Sequence, residues 1–243
     1  RGAYNRIRTS LEAGPVDRVV AASAGNHAQG VALAATKLGV DSTIVMPRNA
    51  PQTKVDATRG YGATVELVGK DFQEAMRYAQ EEVSGPDTEF VHAYDDPAIV
   101  AGQGTLGVEM CEDVPDVDTV VVPIGGGGLI SGIATAFAEL SPETRIVGVQ
   151  ADGAATVPES LDKGVPVTLE DVDTIADGIA TGGISELTLS IIERHVDEVV
   201  TVTNGKIAQA VLLLMERAKQ VVEGAGAASV AAIRSDALDV SGE

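Results

Sequence analysis

The stretch TVVVPIGGGGL, residues 119–129, decides the fold. Its first five residues form a short apolar run that ends in Pro123, and such a run is typical of a strand buried on both faces. From Leu129 onward the apolar residues recur with helical spacing, which predicts a helix. A strand that passes through a short glycine loop into a helix indicates an α/β fold.

The four glycines at 125–128, which we call the glycine loop, fill the connection. Glycine carries no Cβ, so backbone N–H groups there can turn toward one phosphate, and the dipole of the following helix adds positive potential. A plain tight turn needs only one glycine, and four in a row raise the entropic cost of folding. We therefore predict that the glycine loop binds a phosphate group.

Two familiar phosphate motifs do not fit the glycine loop. The dinucleotide fingerprint G-x-G-x-x-G would require glycine where Ile130 or Ser131 stands, and a P-loop would require lysine where Ile133 stands. The sequence therefore predicts a phosphate site that lacks both dinucleotide and nucleoside-triphosphate features.

Elsewhere in the chain, short apolar runs alternate with longer helical patterns. This alternation predicts a mainly parallel sheet flanked by helices. Predicted strands cover residues 18–22, 42–46, 64–68, 89–91, 119–123, 145–150 and 198–202. Predicted helices cover residues 27–38, 51–59, 71–82, 99–111, 129–140 and 207–222. A second group of strands begins after about residue 102, so we expect a small α/β domain at 1–102 and a larger, phosphate-binding one at 103–243.

A second strand-to-helix connection has the sequence SAGNHAQG, residues 23–30. We call residues 23–27 the serine turn. Its hydroxyl, amide and backbone N–H groups could hold a carboxylate. The simpler interpretation is that Ser23 or Asn26 caps the helix, although capping requires only one such residue. The apolar neighbours of His27 favour packing or backbone presentation over proton transfer.

A serine hydrolase is an alternative from another class. Ala21-x-Ser23-x-Gly25 is close to the nucleophile elbow G-x-S-x-G, and His92 or His195 would then have to complete a triad. Alanine at the first glycine position makes this the weaker hypothesis.

Composition excludes several functions. The formal net charge of −19 repels nucleic acids and anionic membranes, and no apolar stretch approaches the length of a membrane span. The single cysteine, Cys111, excludes an internal disulfide framework, so we expect a cytoplasmic protein. The excess of carboxylates is compatible either with a high-salt cytosol or with an ordinary acidic protein.

Five segments together resemble the fold type II family of pyridoxal-phosphate enzymes, in the form typical of threonine dehydratases. They are SAGNHAQG at 23–30, GQGT at 102–105, PIGGGGL at 123–129, ADGIA at 176–180 and EGAGA at 223–227. Their order and spacing match from residue 1 to about 233. The resemblance implies two α/β domains like those of the tryptophan synthase β subunit, with cofactor and substrate in the cleft between them.

The resemblance also implies roles for individual residues. Gly125, Gly126, Gly127, Gly128 and Leu129 would hold the phosphate of pyridoxal 5′-phosphate, and Asn26 would bond its phenolic oxygen. The carboxylate of the substrate would lie on Ser23, Gly25, Asn26 and His27.

The implied reaction converts L-threonine to 2-oxobutanoate and ammonia, as in isoleucine biosynthesis, in a homo-oligomer. Serine dehydratase, threonine synthase and a non-catalytic ligand-binding remnant remain alternatives.

Three positions refine the resemblance. Serine racemases carry a second serine where Ala24 stands, so dehydration is favoured over racemisation. Relatives that bind a divalent cation carry carboxylates where Gln150 and Thr156 stand, and we therefore expect no metal site here.

In the family the Schiff-base lysine lies in a Ser-Phe-Lys-x-Arg-Gly-Ala segment, whereas this chain opens at Arg1-Gly2-Ala3. The lysine is thus expected two residues before Arg1, and the catalytic residue is unknown within the chain. The end at Glu243 is also earlier than in the family. We expect a fragment that is inactive or nearly so on its own.

Overall fold

The computed structural model describes residues 1–81, 87–235 and 237–239 of the 243-residue chain. The chain forms two compact units, Arg1–Gly102 and Gln103–Glu243. The α/β fold expected from the sequence is confirmed in both units, because each contains a parallel sheet flanked by helices. No helix in the described residues is long and apolar enough to cross a membrane.

The first unit holds a four-stranded parallel sheet in the order β3-β2-β1-β4. Its strands are β1 (Arg18–Ala22), β2 (Asp41–Met46), β3 (Thr64–Leu67) and β4 (Thr88–Phe90). Its helices are α1 (Gly2–Ala13), α2 (Asn26–Leu38), α3 (Gln52–Gly60) and α4 (Phe72–Glu81), followed by α5 (Pro97–Asp113), which continues into the second unit.

Both faces of this sheet are buried. Val19, Ala21 and Ile44 pack with α1, α2 and α3 on one face, whereas Val20 and Val45 pack with α4 on the other. Successive side chains of a strand point to opposite faces, so a doubly covered strand buries nearly every side chain. This explains the apolar runs at residues 19–22 of β1 and 44–46 of β2, and the polar residues at 42 and 43 of β2 are buried as well.

The strand order creates a switch point between β1 and β4. The chain leaves β1 through α2 to reach β2 on one side, whereas β4 pairs with β1 on the other side. The following connections therefore diverge at the carboxyl ends of the two strands, and open α/β sheets bind ligands at such points. The serine turn follows β1 and residues 91–96 follow β4, so both lie at this switch point.

The second unit holds a three-stranded parallel sheet in the order β5-β6-β7. Its strands are β5 (Thr119–Pro123), β6 (Arg145–Ala151) and β7 (Glu198–Val202). Its helices are α6 (Gly128–Leu140), α7 (Val157–Lys163), α8 (Glu186–His195), α9 (Asn204–Leu213) and α10 (Gly224–Ile233). Helices α6 and α8 pack on one face of the sheet and α9 and α10 on the other.

The sequence located the strands better than the helices. Each predicted strand is present within about one residue at either end. The prediction of a helix over 207–222 is wrong after residue 218, because α9 passes into a π-helical turn, Leu214–Ala218, and Lys219 adopts a φ of 59°. Helices α1, α7, α8 and α10 were not among the predicted helical stretches. The predicted helix over 71–82 ends at Glu81, and residue 82 lies outside the described residues.

Replacing Phe137 by alanine tests the packing of the second unit. Phe137 is 1% exposed in the cluster beneath α6, whereas Leu140, on the same helix, is 56% exposed. We expect Phe137→Ala to lower the free energy of unfolding by about 3–5 kcal/mol through lost burial and a cavity. Leu140→Ala should change it by less than about 0.5 kcal/mol. Urea titration measures both values, and equal effects would contradict this packing.

Candidate functional site

The glycine loop lies where β5 ends and α6 begins. The Ile124 N–H still donates to the Val149 carbonyl at 2.7 Å, so sheet pairing continues one residue past β5 before the chain turns. Gly127 occupies the N-cap of α6 with a left-handed φ of 90°, and no side chain caps the helix. The glycine loop thus leads directly into an uncapped helix N-terminus.

The backbone donors of this loop are open. Within the part of the chain that the structure describes, the N–H groups of Gly125, Gly126 and Gly127 donate no hydrogen bond. Gly126 and Gly127 are nonetheless buried. Buried N–H groups without acceptors are rare in proteins, and at a helix N-terminus they are suited to an anion. By contrast, Ser185 and Thr203 close the N-termini of α8 and α9 with their side chains.

Close packing explains why glycine is required at positions 125 and 127. A Cβ added to Gly125 would lie 2.9 Å from the Thr181 hydroxyl and 3.1 Å from the Ile179 Cα, and one on Gly127 would lie 2.8 Å from the Thr188 Cβ. The loop therefore rests against the segment after Ala176 on one side and against α8 on the other. A side chain at either position would also fill space beside the open N–H groups.

A third segment completes this cluster. A Cβ added to Gly178 would meet the Ala225 Cβ at 2.8 Å and a carboxylate oxygen of Glu223 at 3.0 Å. One added to Gly224 would meet the Ala176 Cα at 2.9 Å. The segment at 176–180 therefore contacts both the glycine-loop motif at 123–129 and the motif at 223–227, although the three are far apart in the sequence. Sequence reasoning assigned no role to Thr181, which directly follows the 176–180 motif, or to Glu223, which begins the 223–227 motif.

The serine turn in the first unit is built differently. The Ser23 N–H donates to the Val45 carbonyl at 3.1 Å, and the Gly25 N–H donates to the Ser23 hydroxyl at 3.2 Å. Gly25 is the N-cap of α2, and no side chain caps this helix. The alternative in which Ser23 or Asn26 caps α2 is therefore wrong. The N-terminus of α2 thus lacks a capping side chain, and helix ends of this kind are suited to anions.

His27 is neutral. Its Nε2 lies 3.0 Å from the Val91 carbonyl, which follows β4. Burial lowers the pKa of His27 to about 4, although the hydrogen bond to Val91 acts in the opposite direction. A group with this pKa carries no charge near neutral pH. The preference for a structural role of His27 over a proton-transfer role is consistent with this arrangement.

The loop after β4 adds polar groups that were not predicted as a site. The His92 Nδ1 accepts hydrogen bonds from the N–H groups of Tyr94 at 3.3 Å and Asp95 at 2.8 Å. The two rings of His92 and Tyr94 meet edge to face, with centroids 4.7 Å apart. Burial lowers the pKa of His92 and raises the pKa of Tyr94. Only the position of this loop at the end of a strand could have indicated it.

No histidine of this unit activates Ser23 in the described residues. The His27 Nε2 is bonded to Val91, and the His92 Nδ1 accepts backbone N–H groups. A hydrolase would require an imidazole nitrogen at the serine hydroxyl, which here accepts from Gly25 instead.

Gln150, in the second unit, is buried, and both polar atoms of its side-chain amide are hydrogen-bonded. Its side-chain nitrogen donates to the Ala154 carbonyl at 3.2 Å, and its oxygen accepts from the N–H groups of Thr156 at 3.0 Å and Val157 at 2.8 Å. Among the described residues, no group of three or more His, Cys, Asp or Glu side chains is placed to hold a metal ion. The amide of Gln150 therefore ties the segment after β6 to the start of α7.

The state of His27 predicts a pH-dependent stability. The unfolded imidazole titrates near 6.5 and the folded one near 4, so the unfolded chain binds more protons between these values. Protonation of His27 therefore favours the unfolded chain. We expect the free energy of unfolding to be highest above about pH 6.5 and to fall as the pH falls toward 4. The pKa difference corresponds to about 3 kcal/mol, which is an upper limit because the side chain keeps some solvent exposure.

The variant His27→Gln provides the comparison for this prediction. Its amide can still donate to Val91 but does not titrate. Urea unfolding at several pH values from 4.5 to 7.5 should show that the wild-type chain loses more stability than the variant on acidification. Parallel curves for the two proteins would contradict a depressed pKa of His27.

Known proteins resemble the whole chain. The family described as pyridoxal-phosphate dependent enzyme matches residues 1–243. The L-threonine ammonia-lyase of Thermotoga maritima is 49% identical over 243 residues, which are 100% of this chain and 60% of that protein. The corresponding protein of Geobacter sulfurreducens is 47% identical, over 100% of this chain and 61% of its own length. The chain thus spans about 60% of the length of these two relatives.

Solved structures agree with the sequence matches. The processed form of threonine deaminase isoform 2 from Solanum lycopersicum superposes with a TM-score of 0.90 at 41% identity, over 95% of this chain and 67% of that one. Maize serine racemase superposes with a TM-score of 0.92 at 35% identity, over 97% of this chain and 71% of that one. With a family match over its full length and these relatives, the chain belongs to the fold type II family of pyridoxal-phosphate-dependent enzymes.

Proposed function

We propose that this chain is the core of a threonine ammonia-lyase, which converts L-threonine to 2-oxobutanoate and ammonia with pyridoxal 5′-phosphate as cofactor. The open N–H groups of the glycine loop, at the uncapped start of α6, carry this proposal. The 49% identity to a relative named L-threonine ammonia-lyase supports the choice of reaction.

The glycine loop fits the phosphate of the cofactor. The donors are backbone N–H groups of Gly125, Gly126, Gly127, Gly128 and Leu129, which need no side chain and carry the positive end of the α6 dipole. Packing against Thr181 and Ile179 holds Gly125, and the left-handed conformation of Gly127 turns the chain into the helix. A preformed and rigid set of donors suits a group that must be held in one orientation.

The serine turn fits the carboxylate of the substrate. Its helix α2 starts without a side-chain cap. Burial lowers the pKa values of the nearby His27 and His92, so the carboxylate would be bound by backbone and neutral polar donors and not by an imidazolium charge. Ser23, Gly25, Asn26 and His27 would hold the carboxylate, and Asn26 would also bond the phenolic oxygen of the cofactor.

When bound, the cofactor ring supplies an electron sink for the charge that develops at the α-carbon of the substrate. The residues of this chain supply binding and orientation, because they hold the phosphate at one end and the carboxylate at the other. Ala24 offers no acid or base at its position, which favours elimination over racemisation.

The Schiff-base lysine is proposed to lie outside residues 1–243. Lys37, Lys70, Lys163, Lys206 and Lys219 are exposed and Lys54 is half-buried. Lys70 and Lys163 are in ion pairs with glutamates one helical turn away, and the Lys219 amine donates to the Glu216 carbonyl. None of these six lysines is in the sequence context of the family's catalytic lysine.

Related activities are the second candidates. Serine dehydratase and other β-eliminating enzymes would use the same cofactor and the same two anion sites, and a non-catalytic protein could retain them as ligand-binding sites. The expected partner is in each case a small amino acid. We also propose a cytoplasmic location, a homo-oligomer and a place in isoleucine biosynthesis.

Ligand-induced stabilisation tests the glycine loop. Pyridoxal phosphate and inorganic phosphate should raise the thermal midpoint of the chain, whereas pyridoxal without a phosphate should not. At a concentration of 100 times the Kd, the expected gain is about 2.7 kcal/mol. Thermal unfolding monitored by circular dichroism measures these shifts.

Two matched glycine variants make this test specific. Gly127 and Gly164 both have a positive φ, of 90° and 67°, so alanine at either position introduces similar backbone strain. Gly164 ends α7, and a Cβ there meets open space. Gly127→Ala should abolish the phosphate-dependent shift and Gly164→Ala should keep it. Retention of the shift in Gly127→Ala would argue against the glycine loop.

Activity assays test whether the Schiff-base lysine lies outside residues 1–243. The 243-residue chain alone is expected to turn over no L-threonine and to lack the absorbance of a lysine-bound cofactor. A protein that carries the family's lysine segment before Arg1 and the relatives' C-terminal region should show both. Comparison of L-threonine, L-serine and O-phosphohomoserine as substrates then identifies the reaction. Normal turnover by the 243 residues alone would overturn the lysine assignment.

A further inference from the structure

The backbone carbonyl of Val91 requires a hydrogen-bond donor from outside the sheet. Val91 follows β4 and is 1% exposed. Its N–H donates to the Val20 carbonyl at 2.8 Å, which extends the pairing of β4 with β1 by one residue. Its own carbonyl also needs a partner, since a buried carbonyl without a donor costs about 1–3 kcal/mol. The imidazole of His27, with its Nε2 at 3.0 Å, fills this role.

This contact fixes the tautomer of His27. A carbonyl oxygen only accepts hydrogen bonds, so the proton must be on Nε2. A neutral imidazole has a single N–H, and the Nδ1 therefore carries a lone pair. The lowered pKa of His27 is consistent with this neutral form at physiological pH.

The bond connects the two strands that border the switch point. His27 is the second residue of α2 and the last residue of the serine turn, and Val91 begins the loop after β4. Helix α2 has no side-chain cap at Gly25, so the imidazole of His27 ties its first turn to the neighbouring loop. The direction of the first-turn N–H groups of α2 depends on this connection.

We propose that His27 is a positioning residue, whose Nε2–H holds the start of α2 against Val91 and thereby orients the backbone N–H groups that receive the substrate carboxylate. This inference rests on the proposed function of the serine turn. It assigns to the side chain of His27 a task that is separate from the carboxylate contact made by its backbone.

The test uses two amides of different length. In His27→Gln the amide nitrogen lies near the position of the imidazole Nε2 and can still donate to Val91. In His27→Asn it lies near the position of Nδ1 and cannot reach. Both amides are neutral and polar, so they differ mainly in the bond to Val91. His195→Asn, in the second unit, controls for the loss of a histidine.

Two NMR measurements on the 243-residue chain complete the experiment. Long-range ¹H–¹⁵N spectra report the tautomer of His27, and titration with L-threonine, followed by backbone amide shifts, reports the affinity of the serine turn. L-threoninol, which lacks the carboxylate, is the ligand control. We expect the Nε2–H tautomer, a Kd within about 3-fold of wild type for His27→Gln and His195→Asn, and a loss of at least about 10-fold for His27→Asn.

The outcomes separate this inference from the proposed function. An Nδ1–H tautomer, or equal affinities of the Gln and Asn variants, would overturn the positioning role. If the wild-type chain still bound threonine in that case, the proposed carboxylate site would stand. Absence of any threonine response in the wild-type chain, or an equal response to L-threoninol, would overturn the carboxylate site itself and the positioning role with it.

Discussion

Backbone N–H groups at the start of a helix have no acceptor within that helix, and the rest of the proposed site depends on how this chain leaves them open. At α8 and α9 a serine and a threonine provide the missing acceptors. At α2 and α6 the capping position is glycine, which provides none. Both of these helices follow directly after a parallel strand, so their N-termini lie at the carboxyl edge of a sheet, which is where open α/β folds bind ligands.

The sheets make this arrangement stable. Strands such as β1 and β6 are buried on both faces, and the free energy gained from burying their apolar side chains fixes where each strand ends. The loops at those ends can then carry groups that do not contribute to packing. The glycine loop combines both requirements, because Gly125 and Gly127 allow close packing on Thr181 and Thr188 while their N–H groups remain without partners.

Much of this could be predicted from the sequence, for physical reasons that differ by element. The strands were recognisable because burial on both faces demands continuous apolar runs. Helix α10 was missed because glycines interrupt its start and its small apolar residues show no alternation of apolar and polar faces, which is the pattern of a helix buried on several sides. The contact of Gly125 with Thr181 and the bond of His27 to Val91 join segments 56 and 64 residues apart, so no local pattern reveals them. The missing cap on α2 likewise required the structure, since Ser23 and Asn26 are both residues that commonly cap helices.

The proposed function depends most directly on the glycine loop as a phosphate site. A crystal structure of the chain grown with pyridoxal phosphate tests this. We expect phosphate density within hydrogen-bond distance of the N–H groups of Gly126, Gly127 and Gly128. Phosphate density elsewhere, with none at these N–H groups, would contradict the proposed site.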